Sequence, residues 1–173
     1  GKYQIISNGI NLEKFDFNPD NRLDIRKKLG ISNSTLLFGN VGVLTKRKNQ
    51  IRLLYIFKKI MQTKLRAKLI LIGDGPAKTE IISTISKLKL ENDVILFGTT
   101  SNIAAYYSAM DAIIMPSSHE GLSTVLLEAQ TSGLQFFISS QVPLGNYLTD
   151  LVHPISLEET DEYWSKTINK YVN

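Results

Sequence analysis

The chain has 173 residues, 43% hydrophobic and 21% charged, the balance of one folded soluble domain with a full core and not of a disordered segment. A net charge of +4 suits an anionic ligand, but no basic run is dense enough for a nucleic-acid footprint, so nucleic acid is set aside as a partner. The absence of cysteine excludes disulfides, thiolate metal sites and cysteine nucleophiles, and no apolar run approaches the length of a membrane span.

The segment GKYQIISNGI has neither an initiator methionine nor the long apolar core of a secretory signal, so the chain reads as part of a longer protein. In chain order, YQIIS at 3–7 predicts a short strand closed by an Asn8-Gly9 turn. Residues 18–30 predict a helix with acids early, Arg26, Lys27 and Lys28 late, and Gly30 as terminator. STLLFGNVG at 34–42 predicts a strand. The helical spacing of Ile51, Leu54, Phe57, Ile60 and Met61 predicts a helix over 49–63. Strands follow at 67–73, 93–98, 111–116 and 134–140. They alternate with helices at 77–89, 102–110, 117–133 and 158–172.

Strand and helix thus alternate with short connections, and the strands are continuous apolar runs, as strands covered on both faces are. The expected architecture is an open parallel α/β sheet with helices on both faces, whose ligands bind beyond the carboxyl ends of the strands. Four loops lie there: GNVGVLTKRKN at 39–49, GDGP at 73–76, GTTSN at 98–102 and the opening of SSHEGLSTVLLEAQTSG at 117–133.

In the first loop, Gly39 and Gly42 permit close backbone approach and Lys46, Arg47 and Lys48 precede a helix, which suits a phosphate. A glycine turn beside a solvated basic loop explains the same residues, because G-x-x-G is not a dinucleotide fingerprint. The second loop reads as turn chemistry, with Asp74 as a helix cap.

In the last loop, Gly121, Leu122 and Ser123 sit where strand passes into helix, so their N–H groups are among the free donors of a first turn, a place for a diphosphate. Glu128 follows about 7 Å along the axis, the separation of a nucleotide's phosphate from its ribose, and its carboxylate can accept from two hydroxyls. Glu120 lies in the loop, on the side of whatever the diphosphate carries. A solvent-facing pair of acids is the plainer reading. The apolar neighbours Val125, Leu126, Leu127 and Ala129 argue against it, since a buried carboxylate needs a partner. His119 reads as a polar loop residue, and Tyr163 and Trp164 as ordinary core.

Glu120 and Glu128 have the spacing of the E-x7-E signature, in the frame PSSHEGLSTVLLEAQTSG, and the chain thereby resembles the retaining glycosyltransferases of family 4. NGINLEKF, KRKNQ, IGDGP and VILFG resemble further elements of that family, in its order and over nearly the whole chain. The tail 138–157 is similar to members that build exopolysaccharide or capsule.

The resemblance implies a GT-B enzyme of two facing Rossmann-like domains. Residues 1–173 would be the nucleotide-sugar-binding C-terminal half, and the N-terminal acceptor domain would lie outside the chain. It implies sugar transfer, with retention, from a nucleotide-sugar, UDP being the commonest carrier, to a saccharide or lipid-linked acceptor. By the same resemblance Glu128 binds the ribose and Glu120 lies beside the donor sugar. Lys48, near Gly42, binds the diphosphate and steadies the leaving group. The N–H groups of Leu122, Ser123 and Thr124, after Gly121, serve the same diphosphate, and the base stacks near Phe97, Gly98 and Thr99.

No metal or other cofactor is expected, because cations and a helix terminus stabilise the charge. A cytoplasmic location is expected, with peripheral attachment of the full-length enzyme at the inner membrane face. The sequence departs from the family pattern at Val43, where arginine is usual, at Gln135, where proline is usual, and in VPLGNY at 142–147, which lacks an acid. The rival readings are a nucleotide-sugar epimerase of the same fold, using His119 and His153, and a non-catalytic nucleotide-sugar-binding module.

Overall fold

The computed structural model describes residues 9–63, 65–121, 123–142 and 148–172. The strand expected at 3–7 and most of VPLGNY fall outside them. Seven helices are described: α1 (Leu12–Phe15), α2 (Pro19–Lys28), α3 (Gln50–Met61), α4 (Lys78–Leu88), α5 (Ile103–Ala109), α6 (Thr124–Thr131) and α7 (Asp161–Val172). They accompany six strands: β1 (Leu36–Val41), β2 (Ala67–Ile72), β3 (Val94–Gly98), β4 (Ala112–Met115), β5 (Gln135–Ser139) and β6 (Val152–Ile155). Among the described residues no helix is long and apolar enough to cross a membrane.

The strands form one parallel sheet in the order β3-β2-β1-β4-β5-β6. Alternate residues of each strand face opposite layers. Phe38, Leu69, Leu71, Ile114 and Phe137 meet α3, α4 and α7 through Leu53, Phe57, Ile81 and Trp164. Leu37, Ile70, Ile113, Phe136 and Ile138 meet α5 and α6 through Tyr107 and Leu126. With both faces covered, neither half of the alternation can be polar, and this explains the continuous apolar runs. Trp164 is wholly buried and donates its indole N–H to the Ser156 carbonyl at 3.0 Å, while Tyr163 is half exposed.

Two elements lie outside the sequence expectation. β6 contains His153 and Pro154, which break the apolar run that marks a buried strand. It is the edge of the sheet and pairs only with β5, so a residue without an N–H is tolerated there. The helix α1 is a single turn, capped where the Asn11 side chain accepts from the Lys14 N–H, too short to show a periodicity.

Arg26, one of the late basic residues of α2, is 1% exposed. Its guanidinium donates to the carbonyls of Ala109 and Ser32 at 2.8 Å each and to that of Thr35. Asp111 completes the cluster, lying 3.2 Å from Arg26 and 2.6 Å from Arg22 and accepting from the Leu37 N–H at 2.7 Å. Arg22 donates to the carbonyls of Ser108, Ala109 and Met110, so two cations sit where the dipole of α5 ends. The cluster clamps α2 to α5 and to the starts of β1 and β4, the end of the sheet opposite the loops of interest.

Arg26→Ala should remove one of the two cations on Asp111 and leave the carbonyls of Ser32 and Thr35 without their guanidinium donor. A loss of about 3–5 kcal/mol is expected for breaking a buried pair, measured by equilibrium urea unfolding, with no new ligand-binding behaviour.

Candidate functional site

The chain leaves β1 toward β2 and β3 on one side and returns to β4 on the other. The carboxyl ends of β1 and β4 therefore diverge, and a crevice opens between their loops. Its floor is built by close backbone packing. The N–H of Gly42 donates to Ile72 O at 2.9 Å, that of Gly73 to Gly98 O at 2.7 Å, and that of Leu44 to Asp74 O at 3.0 Å. Gly73 has φ +148°, and a Cβ there would lie 2.0 Å from the Gly42 carbonyl oxygen, so no side chain fits. The IGDGP turn is structural in this sense, as expected. Asp74, however, does not cap α4; it accepts from Gly75 N–H and pairs with Lys78.

Lys46–Lys48 form a 3-10 turn, and Asn49 follows in the left-handed region at φ 58°. Its amide donates to Pro116 O at 3.0 Å, and Ser118 N–H donates to Arg47 O at 2.9 Å, so the loop after β1 is pinned to the loop after β4. This brings Lys48 Nζ to 2.7 Å from Glu120 Oε1, with the two side chains only 13% and 7% exposed. The Lys48 stem crosses Gly42, where a Cβ would be 3.3 Å from Cε. Glycine at 42 therefore makes room for the lysine as well as adopting φ +141°.

Ser123 caps α6, its hydroxyl accepting from Leu126 N–H at 3.4 Å. The backbone N–H groups of Thr124 and Val125 belong to the turn whose donors have no helical acceptor. Leu122 lies outside the described residues, and Gly121 is exposed just before it. On the next turn the Tyr107 hydroxyl donates to Glu128 Oε2 at 2.8 Å. Burial first, and then the Glu128 charge, push the Tyr107 phenol far above its ordinary range, so it stays a donor. The expected interruption of an apolar helix thus has a partial answer inside the protein: the half-buried carboxylate has one protein partner.

Glu128 also lines a cavity of about 370 Å³, together with Gly42, Val43, Gly73, Thr99, Thr100 and Ile103. Gly42, Thr99 and Glu128 are thus brought to one space, with the Lys48 side chain against Gly42 and paired with Glu120, and with Ser123 and Thr124 opening α6. Gly98 ends β3 at φ +82°, but Phe97 turns its ring onto Tyr106, 4.6 Å between centroids, away from those walls. Gly39 lies inside β1, and its missing Cβ makes room for Met110.

Val43 is 58% exposed beside the cavity, and Lys46 and Arg47 are exposed, Lys46 lining a separate hollow with Glu80. His119 is exposed. His153 lies on the edge strand β6, hydrogen-bonded to Gln135 at 2.6 Å, and burial with the nearby Lys170 charge lowers its pKa. Tyr107 and Asn49 are the functional positions that sequence reasoning missed. Asn between a basic run and a helix start is the signal for a left-handed residue; nothing local marks Tyr107.

The comparisons with known proteins bear on this arrangement. The model of the family described as glycosyl transferases group 1 matches residues 21–173. The chain belongs to the group 1 glycosyl transferases. Among its relatives, a Bacillus subtilis (strain 168) protein named as a glycosyltransferase, EpsF, is 34% identical over 96% of this chain and 44% of its own length. An Escherichia coli UDP-Gal:alpha-D-GlcNAc-diphosphoundecaprenol alpha-1,3-galactosyltransferase is 29% identical over 80% of the chain and 37% of its own length.

Among solved structures, HepE from Anabaena in complex with UDP and glucose superposes with a TM-score of 0.85 at 21% identity, covering 96% of this chain and 46% of that one. The separately solved C-terminal domain of LpcC from Francisella tularensis has a TM-score of 0.75 at 16% identity, covering 94% of this chain and 87% of that one. The open parallel sheet is the Rossmann-like sheet of GT-B glycosyltransferase structures. This group 1 chain spans less than half the length of these two curated relatives.

Tyr107→Phe removes the protein's donor to Glu128 while keeping the ring. The variant should lose about 1–3 kcal/mol, the cost of a missing partner for a partly buried charge, read from urea unfolding beside the parent chain. An unchanged midpoint would mean the carboxylate is fully solvated.

Proposed function

We propose that this chain is the C-terminal, donor-binding domain of a retaining family 4 glycosyltransferase that takes a UDP-sugar and serves a saccharide or lipid-linked acceptor in polysaccharide synthesis. The observation that carries the reading is the cavity at the β1/β4 crevice lined by Gly42, Thr99 and Glu128, with the Lys48 side chain lying against Gly42. The family match disfavours an epimerase, and neither His119, which is exposed, nor His153, on the edge strand, lines the cavity.

In this reading the ribose hydroxyls donate to Glu128, whose other partner, Tyr107, holds it in place. The diphosphate lies against the first turn of α6, where free N–H groups and the helix dipole favour negative charge. As the bond between the anomeric carbon and the diphosphate oxygen breaks, negative charge grows on the leaving group, and Lys48 stabilises it. No metal is assigned a part. The base lies toward Thr99 and Thr100, and the acceptor is held in line by a second domain, because transfer depends on that positioning. The E. coli relative named for UDP-Gal and the UDP-bound neighbour support uracil as the base.

Titration calorimetry with UDP-glucose and uridine tests the assignment. Glu128→Gln should weaken both ligands by about 1–3 kcal/mol, the range for a charged hydrogen-bond partner. Lys48→Ala should weaken UDP-glucose, an intact nucleotide-sugar, much more than uridine, and EDTA should change neither. Equal uridine binding by the parent and Glu128→Gln chains would remove the ribose assignment.

A further inference from the structure

The Lys48–Glu120 contact has a consequence for which ligand the cleft prefers. The pair is close and poorly solvated, so its attraction is weakly screened, unlike that of the exposed Lys78–Asp74 pair. It is also held from outside: the bonds from Asn49 to Pro116 O and from Ser118 to Arg47 O fix both loops without any ligand. Yet the contact is not a complete hydrogen bond. Glu120 Oε1 is buried and has no hydrogen-bond donor in line, although the ammonium is 2.7 Å away. The carboxylate is charge-paired but still short of a donor.

Lys48 and Lys78 are each already matched by an acid, Glu120 and Asp74, and Glu128 adds a negative charge to the cavity wall; Lys46 and Arg47 of the same loop are exposed. Where the family pattern has arginine stands Val43. A diphosphate that approaches Gly42 therefore meets Lys48 already opposed by Glu120. We propose that Glu120 is an internal counter-ion that withholds Lys48 from a bare nucleoside diphosphate and yields it to an intact nucleotide-sugar, so that the cleft discriminates against its own product.

The inference rests on the nucleotide-sugar reading given above. An intact donor brings sugar hydroxyls to Glu120, and a hydroxyl supplies the donor that Oε1 lacks. Glu120 then keeps a partner while Lys48 turns to the phosphates. A bare diphosphate ends instead in a phosphate that is largely dianionic at neutral pH and offers the carboxylate like charge. To engage Lys48 it must leave Glu120 buried without a counter-ion, which is costly. Glu120 is here a specificity-determining residue, and the same contact favours release of the spent nucleotide.

The test is calorimetry on this chain with UDP, uridine and UDP-glucose as probes. Glu120→Gln keeps the shape and removes the charge. It should raise UDP affinity about tenfold, the scale of one partly screened charge pair, and leave uridine unchanged. UDP-glucose should gain less than UDP or become weaker. Glu120→Asp, one methylene shorter, should shift UDP in the same direction by less, and it decides the matter if the Gln variant loses uridine binding and hence its fold. UDP binding no tighter in either variant, with uridine binding intact, overturns the counter-ion role alone. Failure of the parent chain to bind either UDP or uridine overturns the nucleotide reading and this inference with it.

Discussion

The carboxyl end of the sheet depends on how closely the loop after β1 packs against its two neighbours. On one side the Gly42 carbonyl occupies the space where a side chain at 73 would begin, so these backbones touch with no side chain between them. On the other, Asn49 and Arg47 are bonded to the loop after β4. With both flanks fixed, the 3-10 turn has little freedom, and Lys48 is carried across Gly42 to Glu120. The cavity walls, the buried ion pair and the approach to α6 all follow from that contact.

The two ends of the sheet use polar groups differently. At the amino end Arg22, Arg26 and Asp111 pair with one another and with the carbonyls around them in a network that fixes the position of α2, although Arg26 Nε is buried without a partner. At the carboxyl end the polar groups are incompletely satisfied: Glu120 Oε1 lacks a donor, and the first-turn N–H groups of α6 lack helical acceptors. The difference is one of place: the amino-end network is turned onto carbonyls of the fold, whereas the carboxyl-end groups stand beside a crevice.

The two glutamates illustrate how far sequence reasoning reaches. Their spacing and the apolar residues around Glu128 mark the pair as unusual, and both lie beside the crevice. The inference from burial to ligand was incomplete, because Tyr107, twenty-one residues away, already supplies a hydroxyl. Arg26 carries no such mark: it stands in a basic run and is buried because carbonyls from other segments converge on it. In both cases the deciding partner is distant in sequence, so no local pattern reports it.

By itself the sequence determined the alternation of strands and helices, the coverage of both sheet faces and the glycine-bearing loops, because hydrophobic period and turn chemistry are local properties. The resemblance to family 4 likewise marks Lys48, Glu120 and Glu128. Tertiary structure alone decided the edge strand β6, whose His153 and Pro154 hide it from an apolar-run criterion. It also decided the orientation of Phe97 toward Tyr106, the clamp on Arg26, and the pairing of Lys48 with Glu120. The reason is common to all four: each rests on contacts between segments that only the folded sheet brings together, and a one-dimensional pattern carries no distance between them.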